Sequence, residues 1–106
     1  MFARKVSVRL RADAAGQFIH KIENEMIPLL RKQKGLLDEL TLISSGGKEM
    51  YAYRFWECSE DAERYDRNAF GEVTSLLAGS VDGPLRVQTY LVGNSTLHKL
   101  AAAKAS

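Results

Sequence analysis

The stretch from Gly35 to Glu63 constrains this chain more than any other. Two runs rich in β-branched, aromatic and Leu residues flank Ser44-Ser45-Gly46-Gly47-Lys48. Gly and Ser at a loop tip tolerate positive φ, so the stretch reads as a β-hairpin. Its second run, Met50 to Trp56, carries four aromatics in seven residues and stops at Cys58-Ser59-Glu60-Asp61. Ser59 can cap a helix there, with two acids in its first turn. A helical pattern precedes the hairpin and another follows it, which sets the hairpin in the middle of a β-α-β-β-α-β chain.

The ends of the chain fit that frame. In residues 2–12, Val6, Val8 and Leu10 alternate with Lys5, Ser7, Arg9 and Arg11, the period of a strand with one face on a core. Asp13 is placed to cap a helix that begins at Ala14 and stops at Gly35. Phe18, Ile19, Ile22, Met26, Leu29 and Leu30 form its apolar stripe. Pro28 inside the pattern removes an amide donor, so a kink or short break is expected. A second helix from Glu60 to Ala78 presents Ala62, Tyr65, Ala69, Val73 and Leu76, and Gly71 weakens its middle, which allows either one helix or two shorter ones. After the Asp82-Gly83-Pro84 turn, Leu85 to Val92 alternates as a last strand. The fold class is therefore α+β, with a ferredoxin-like four-stranded antiparallel sheet and both helices on one face. One domain spans residues 1–95 and a tail spans 96–106.

Composition bounds the function classes. With 106 residues the chain suffices for one core, and a formal net charge of +2 does not by itself argue for nucleic acid or membrane. A single cysteine fits a reducing, cytoplasmic setting, and no apolar run reaches the ~18–20 residues that span a bilayer.

Sorting the outer face of the sheet assigns to it Ser7 and Arg9, Glu39 and Thr41, Arg54 and Trp56, and Gln88 and Tyr90. Tyr51, Tyr53 and Phe55 then lie under the helices. Arg54 decides this choice, because an unpaired guanidinium buried beneath helices is costly. Both rows of the third strand are substantially apolar, which calls for cover on both faces and hence for a second copy of the chain. If two such sheets close on each other, these residues line a partly apolar cavity with a few donors and one indole.

At this point the residues resemble a family. The helix ending Ile27-Pro28-Leu29-Leu30-Arg31-Lys32-Gln33-Lys34-Gly35, and Trp56-Glu57-Cys58-Ser59-Glu60-Asp61-Ala62 after an aromatic strand, look like the antibiotic biosynthesis monooxygenase (ABM) superfamily over residues 3 to 93. The resemblance implies a homodimeric α+β barrel that binds a small, flat, hydrophobic molecule between sheet and helices. The haem-degrading branch does not fit: the first strand offers Ser7 where that branch has Asn, and the second helix has neither Trp nor His. Trp56 matches the Trp of the quinone-forming oxygenases, but their Asn falls near Ala52.

Two functions follow. One is cofactor-independent oxygenation of an electron-rich aromatic or quinol, with Trp56, Arg54 and Tyr90 as catalytic candidates and Ser7, Arg9, Thr41 and Gln88 as substrate-binding ones. The other is a non-catalytic ligand-binding or accessory homodimer. Neither calls for a cofactor, a metal, nucleic acid or a membrane. His20 lies on a helix flank, and His98 in the tail. Cys58 lies at a helix start without a histidine partner. Tyr51-Ala52-Tyr53 partly resembles the base-stacking motif of RNA-recognition domains, but Glu49 and Met50 replace its basic residue and Gly, and the first strand lacks a second aromatic platform.

Overall fold

The computed structural model describes residues 1–96. The expectations for the tail, and for His98, lie outside the described residues. In chain order the elements are β1 (Phe2–Arg9), α1 (Ala15–Lys21), a π-helical turn (Ile22–Met26), α2 (Ile27–Arg31), β2 (Leu36–Ile43) and β3 (Glu49–Trp56). They continue with α3 (Ser59–Asn68), α4 (Phe70–Leu77), a 3-10 turn (Ala78–Ser80) and β4 (Arg86–Leu91). The strands form one antiparallel sheet in the order β2-β3-β1-β4, the ferredoxin-like arrangement expected from the sequence.

The hairpin closes through Ser44. Its amide donates to the Glu49 carbonyl (2.9 Å), and its hydroxyl oxygen accepts from the Lys48 and Glu49 amides (3.2 and 3.1 Å). Gly47 supplies the positive φ of 70° that this turn requires.

The helices lie on one face of the sheet. Phe18, Ile22, Met26 and Leu30 from the first helical arm meet Ala62, Tyr65, Ala69, Val73 and Leu77 from the second, above Val6, Val8, Met50, Ala52 and Trp56. Each such large side chain contributes about 1.5–3 kcal/mol by leaving water. The edge strand β4 is exposed throughout, and Leu91, on the helix side of its register, is 87% exposed.

Local details correct several expectations. Asp13 does not cap α1; it adopts φ 59°, and Ala14 occupies the cap position without a side-chain bond. Cys58, not Ser59, precedes α3, and it too makes no capping bond. The break expected at Pro28 is a π turn just before it, where the Ile27 amide reaches back five residues to the Ile22 carbonyl. Pro28 then sits in the first turn of α2, where its missing donor costs nothing. Asn24 Nδ2 donates to the His20 carbonyl at 2.9 Å within this widened segment. The second helix does divide, at Ala69 (φ −136°) rather than at Gly71. The buried stripe continues Ala69, Val73 and Leu77 at four-residue spacing, so Leu77 is in the core and Leu76, expected there, is only half-buried.

Gly35 joins α2 to β2 at φ 81°, and its carbonyl accepts the Glu57 amide at 2.8 Å. A Cβ here would overlap the Asp61 carboxylate. Asp61 is itself fixed by Arg64 Nη1 at 2.7 Å and by the Cys58 thiol at 3.2 Å. The Arg64 hydrogen bond, then that of Cys58, hold its carboxyl below the usual carboxylate range. Gly35→Ala should therefore lose about 2 kcal/mol or more in urea unfolding, from left-handed strain and the clash together. Wild-type stability in that variant would contradict the contact.

Candidate functional site

A cavity of about 230 Å³ lies between the sheet and α4. Val6, Met50 and Arg54 form its floor; Phe70, Val73, Thr74 and Leu77 form one wall, and Val81, Gly83 and Leu85 the other. Among the described residues, Arg54 is the sole charged one in that lining.

Arg54 is 2% exposed. Its Nη1 donates to the Tyr65 hydroxyl at 3.1 Å, and its Nη2 lies 3.5 Å from the Met26 sulfur. The guanidinium carbon stands 5.6 Å from the centroid of the Tyr65 ring. Its Nε has no partner. Directly across on β1 is Arg4, 7% exposed, whose Nη1 pairs with the Asp66 carboxylate while its Nε is also unpartnered. On the other side, Glu39 shares the face of Arg54, but its carboxylate accepts the Thr41 hydroxyl at 2.5 Å. Among the described residues the ion pairs within 4.0 Å are Arg4–Asp66 and Arg64–Asp61. Of these two neighbouring buried guanidiniums only Arg4 has a carboxylate within 4.0 Å among the described residues, and Arg54 faces the cavity.

An aromatic series runs beside this pair. The Trp56 and Tyr65 rings are 5.3 Å apart at 36°, and Tyr65 meets Phe70 edge-on at 5.9 Å. Burial pushes the Tyr65 phenol above its ordinary pKa, and the neighbouring Arg54 charge pulls it part of the way back. Trp56 is fully buried, its indole N–H has no acceptor, and it does not line the cavity.

The face expected for β3 is reversed. Met50, Ala52, Arg54 and Trp56 lie beneath the helices, whereas Tyr51, Tyr53 and Phe55 face outward. Glu39 and Thr41 go with Arg54 to the helix side. The reason is a sum over the row. Met50, Ala52 and Trp56 gain fully from burial, whereas the opposite row would bury two phenol hydroxyls. The Arg54 penalty is reduced by Tyr65, Met26 and access to the cavity.

The candidate residues are therefore divided between two sides of the sheet. Arg54 lines the inner cavity, with Trp56 and Thr41 on the same side. Ser7, Arg9 and Gln88 line a separate cleft on the open face, and Tyr90 is exposed on that face. Sequence reasoning missed Arg4, Tyr65, Asp66 and the α4 wall. Arg4 was accessible to it, because it has the same strand parity as Val6 and Val8. His20 is exposed with Asn24 as its neighbour, and Cys58 bonds to Asp61. Among the described residues there is no group of three or more His, Cys, Asp or Glu able to hold a metal ion.

No protein-family model matches the chain. No curated protein matches it either. Solved structures do. A Nitrosomonas europaea protein named for the antibiotic biosynthesis monooxygenases superposes with a TM-score of 0.73 at 16% identity, over 87% of this chain and 98% of that one. The Rv0793 protein of Mycobacterium tuberculosis gives 0.71 at 14%, over 90% and 97%. A Streptomyces coelicolor monooxygenase from the ActVA-Orf6 gene, solved with nanaomycin D, gives 0.70 at 15%, over 89% and 88%. The chain thus has the fold of the ABM-like monooxygenases, at an identity that speaks for fold alone.

The charge arrangement predicts opposite effects of two substitutions. Arg54→Met should leave stability unchanged or raise it by about 1–3 kcal/mol, since it removes a buried charge with no carboxylate within 4.0 Å among the described residues. Asp66→Asn should lower it, because two buried guanidiniums then face each other. Urea unfolding of both variants checks this, and a large loss in Arg54→Met would mean that the charge is compensated.

Proposed function

We propose that the protein binds a small, flat, hydrophobic molecule bearing an anionic oxygen in the cavity between sheet and helices. The observation that carries this reading is Arg54, a buried guanidinium with no carboxylate of its own, at the floor of an apolar cavity. An anion there would supply the missing countercharge, and Phe70, Val73 and Leu77 would pack its rings. A similar fold solved with a bound small molecule, the S. coelicolor monooxygenase, is consistent with it.

The catalytic form of the reading is cofactor-independent oxygenation of an electron-rich aromatic such as an anthrone. The substrate, held as its phenolate or enolate by Arg54, supplies all four electrons that reduce dioxygen. Its ring carbon gains one oxygen as a carbonyl and loses two hydrogens, which leave with the second oxygen as water. Arg54 acts by favouring the anion, the form that gives up electrons most readily. Oxygen uptake with anthrone- and hydroquinone-type substrates is expected, and Arg54→Met should reduce kcat/KM by about 100-fold, the range of a lost charge-stabilising donor. An undiminished rate in that variant would remove Arg54 from the chemistry.

One observation favours the alternative, a non-catalytic ligand-binding or accessory protein: among the described residues the cavity lining holds no Asp, Glu or His to take up a proton. Under that reading no substrate turns over, while the anion still raises the melting temperature.

The open sheet face carries the second part of the proposal, a homodimer. Leu40 and Leu42 are 49% and 45% exposed there, beside Tyr51, Tyr53 and Phe55. Such a contiguous apolar surface fits a second copy of the chain better than water. Light scattering at micromolar concentration should give twice the chain mass, and Leu40→Glu/Leu42→Glu should give a folded monomer. A wild-type monomer would overturn this part.

A further inference from the structure

The cavity beneath α4 opens along one side. Its deep end, around Arg54, Val6 and Val73, is buried. Outward the lining loosens: Phe70, Thr74 and Leu85 are half-buried, and Ala78 and Gly83 are exposed. Phe70, Thr74 and Ala78 recur every four residues along α4 and into the turn after it, so they form one row. Gly83 and Leu85, on the segment leading to β4, form the opposite lip. Among the described residues this mouth carries no charge and one hydroxyl, that of Thr74, which donates to the Gly71 carbonyl at 2.9 Å.

Beyond the mouth, β4 continues the floor. Val87 is opposite Val6 in the register and so faces the helix side, as does Leu91 opposite Phe2. Val87 is 46% exposed and Leu91 87%, so among the described residues this ledge is uncovered. Thr89 lies between them, opposite Arg4, whose guanidinium is held by Asp66 and stands 5.9 Å from the Phe2 ring centroid. The row from Leu85 to Leu91 advances about 7 Å per two residues away from the cavity. It lies on the other side of the sheet from Leu40 and Leu42, where the second copy is proposed to pack.

The enclosed volume is small for a molecule of several rings. An apolar cavity of about 150 Å³ takes one benzene ring, so one of about 230 Å³ takes a ring with a few further atoms. A longer ligand projects through the mouth. Its anionic oxygen belongs at Arg54, the deep end, because a polar group buried further out would meet apolar walls without a hydrogen-bond partner.

Resting on the reading given above for the cavity, we infer that its ligand is an amphiphile with one polar end. An aromatic ring carries the anionic oxygen at that end and a linear apolar chain at the other. The chain leaves between Ala78 and Gly83 and lies along Val87 and Leu91.

Titration calorimetry of the full chain with benzoate, 4-butylbenzoate and 4-hexylbenzoate tests this. Kd should fall about threefold per added methylene, the worth of a largely buried CH2. Val87→Asp should weaken 4-hexylbenzoate about tenfold, by placing a charge against the chain, and leave benzoate unchanged. Arg54→Met should weaken the whole series. No binding of any member, or binding that Arg54→Met does not weaken, would overturn the cavity reading and this inference with it. Benzoate binding that needs Arg54 while chain length adds nothing would overturn the inference alone, as would a chain-length gain that Val87→Asp leaves intact. Leu91→Asp tests for another occupant of the ledge. Its urea unfolding and solution mass should match wild type; a loss of stability or of mass would mean that other residues of the chain or a second copy cover the ledge, and would overturn the inference too.

Discussion

The structure turns on a guanidinium placed where a soluble domain ordinarily keeps its driest atoms. Arg54 is on a central strand, beneath the helices, next to a second buried arginine that already holds the nearby carboxylate. Removing a lone charge from water costs several kcal/mol even after relaxation, and here the relief is a phenol oxygen and a thioether. The surrounding core must supply that energy. Phe18, Met26, Leu30, Trp56 and Tyr65, all essentially inaccessible to water, do so. Without such a core the third strand would turn its other row inward.

That placement organises the elements around it. The π turn, made possible by Pro28 just downstream, sets Met26 against Arg54. The first half of the second helical arm delivers Tyr65 and Asp66, one to each arginine. After the break at Ala69, Val73 and Leu77 of α4 line the cavity, and Phe70 both lines it and meets Tyr65 edge-on. The segment from Val81 to Leu85 completes the enclosure and, with its alternate residues, walls the cleft on the opposite side of the sheet.

The two faces of the sheet have divided chemistry as a result. The helix side concentrates apolar volume around Arg54, a buried charge with no carboxylate within 4.0 Å among the described residues. The open side carries Leu40, Leu42, Tyr51, Tyr53 and Phe55 on β2 and β3, and Lys5, Ser7, Arg9, Arg86, Gln88 and the exposed Tyr90 on β1 and β4. The first arrangement suits an apolar anion, the second a partner surface. Both depend on strand order, which brings β1 between β3 and β4 although it comes first in the chain.

The sequence by itself determined the order of elements, the hairpin at Ser44–Lys48 and the alternation of β1 and β4; it placed a possible division of the second helix at Gly71, two residues from the break at Ala69. These follow from side-chain period and turn chemistry, which act over a few residues and need no knowledge of the partner element. The face of β3 was beyond it. Both rows of Met50–Trp56 are apolar enough to be buried, and a local penalty for Arg54 pointed the wrong way. Only the assembled structure sets that penalty against Trp56, Met50 and Ala52, and supplies Tyr65 and Met26, eleven and twenty-eight residues away in the chain, to reduce it. Tertiary structure likewise decided which candidates share a site: Arg54 went to one side of the sheet and Ser7, Arg9 and Gln88 to the other. A strand's parity joins residues two apart, but the core it packs against chooses which parity faces inward.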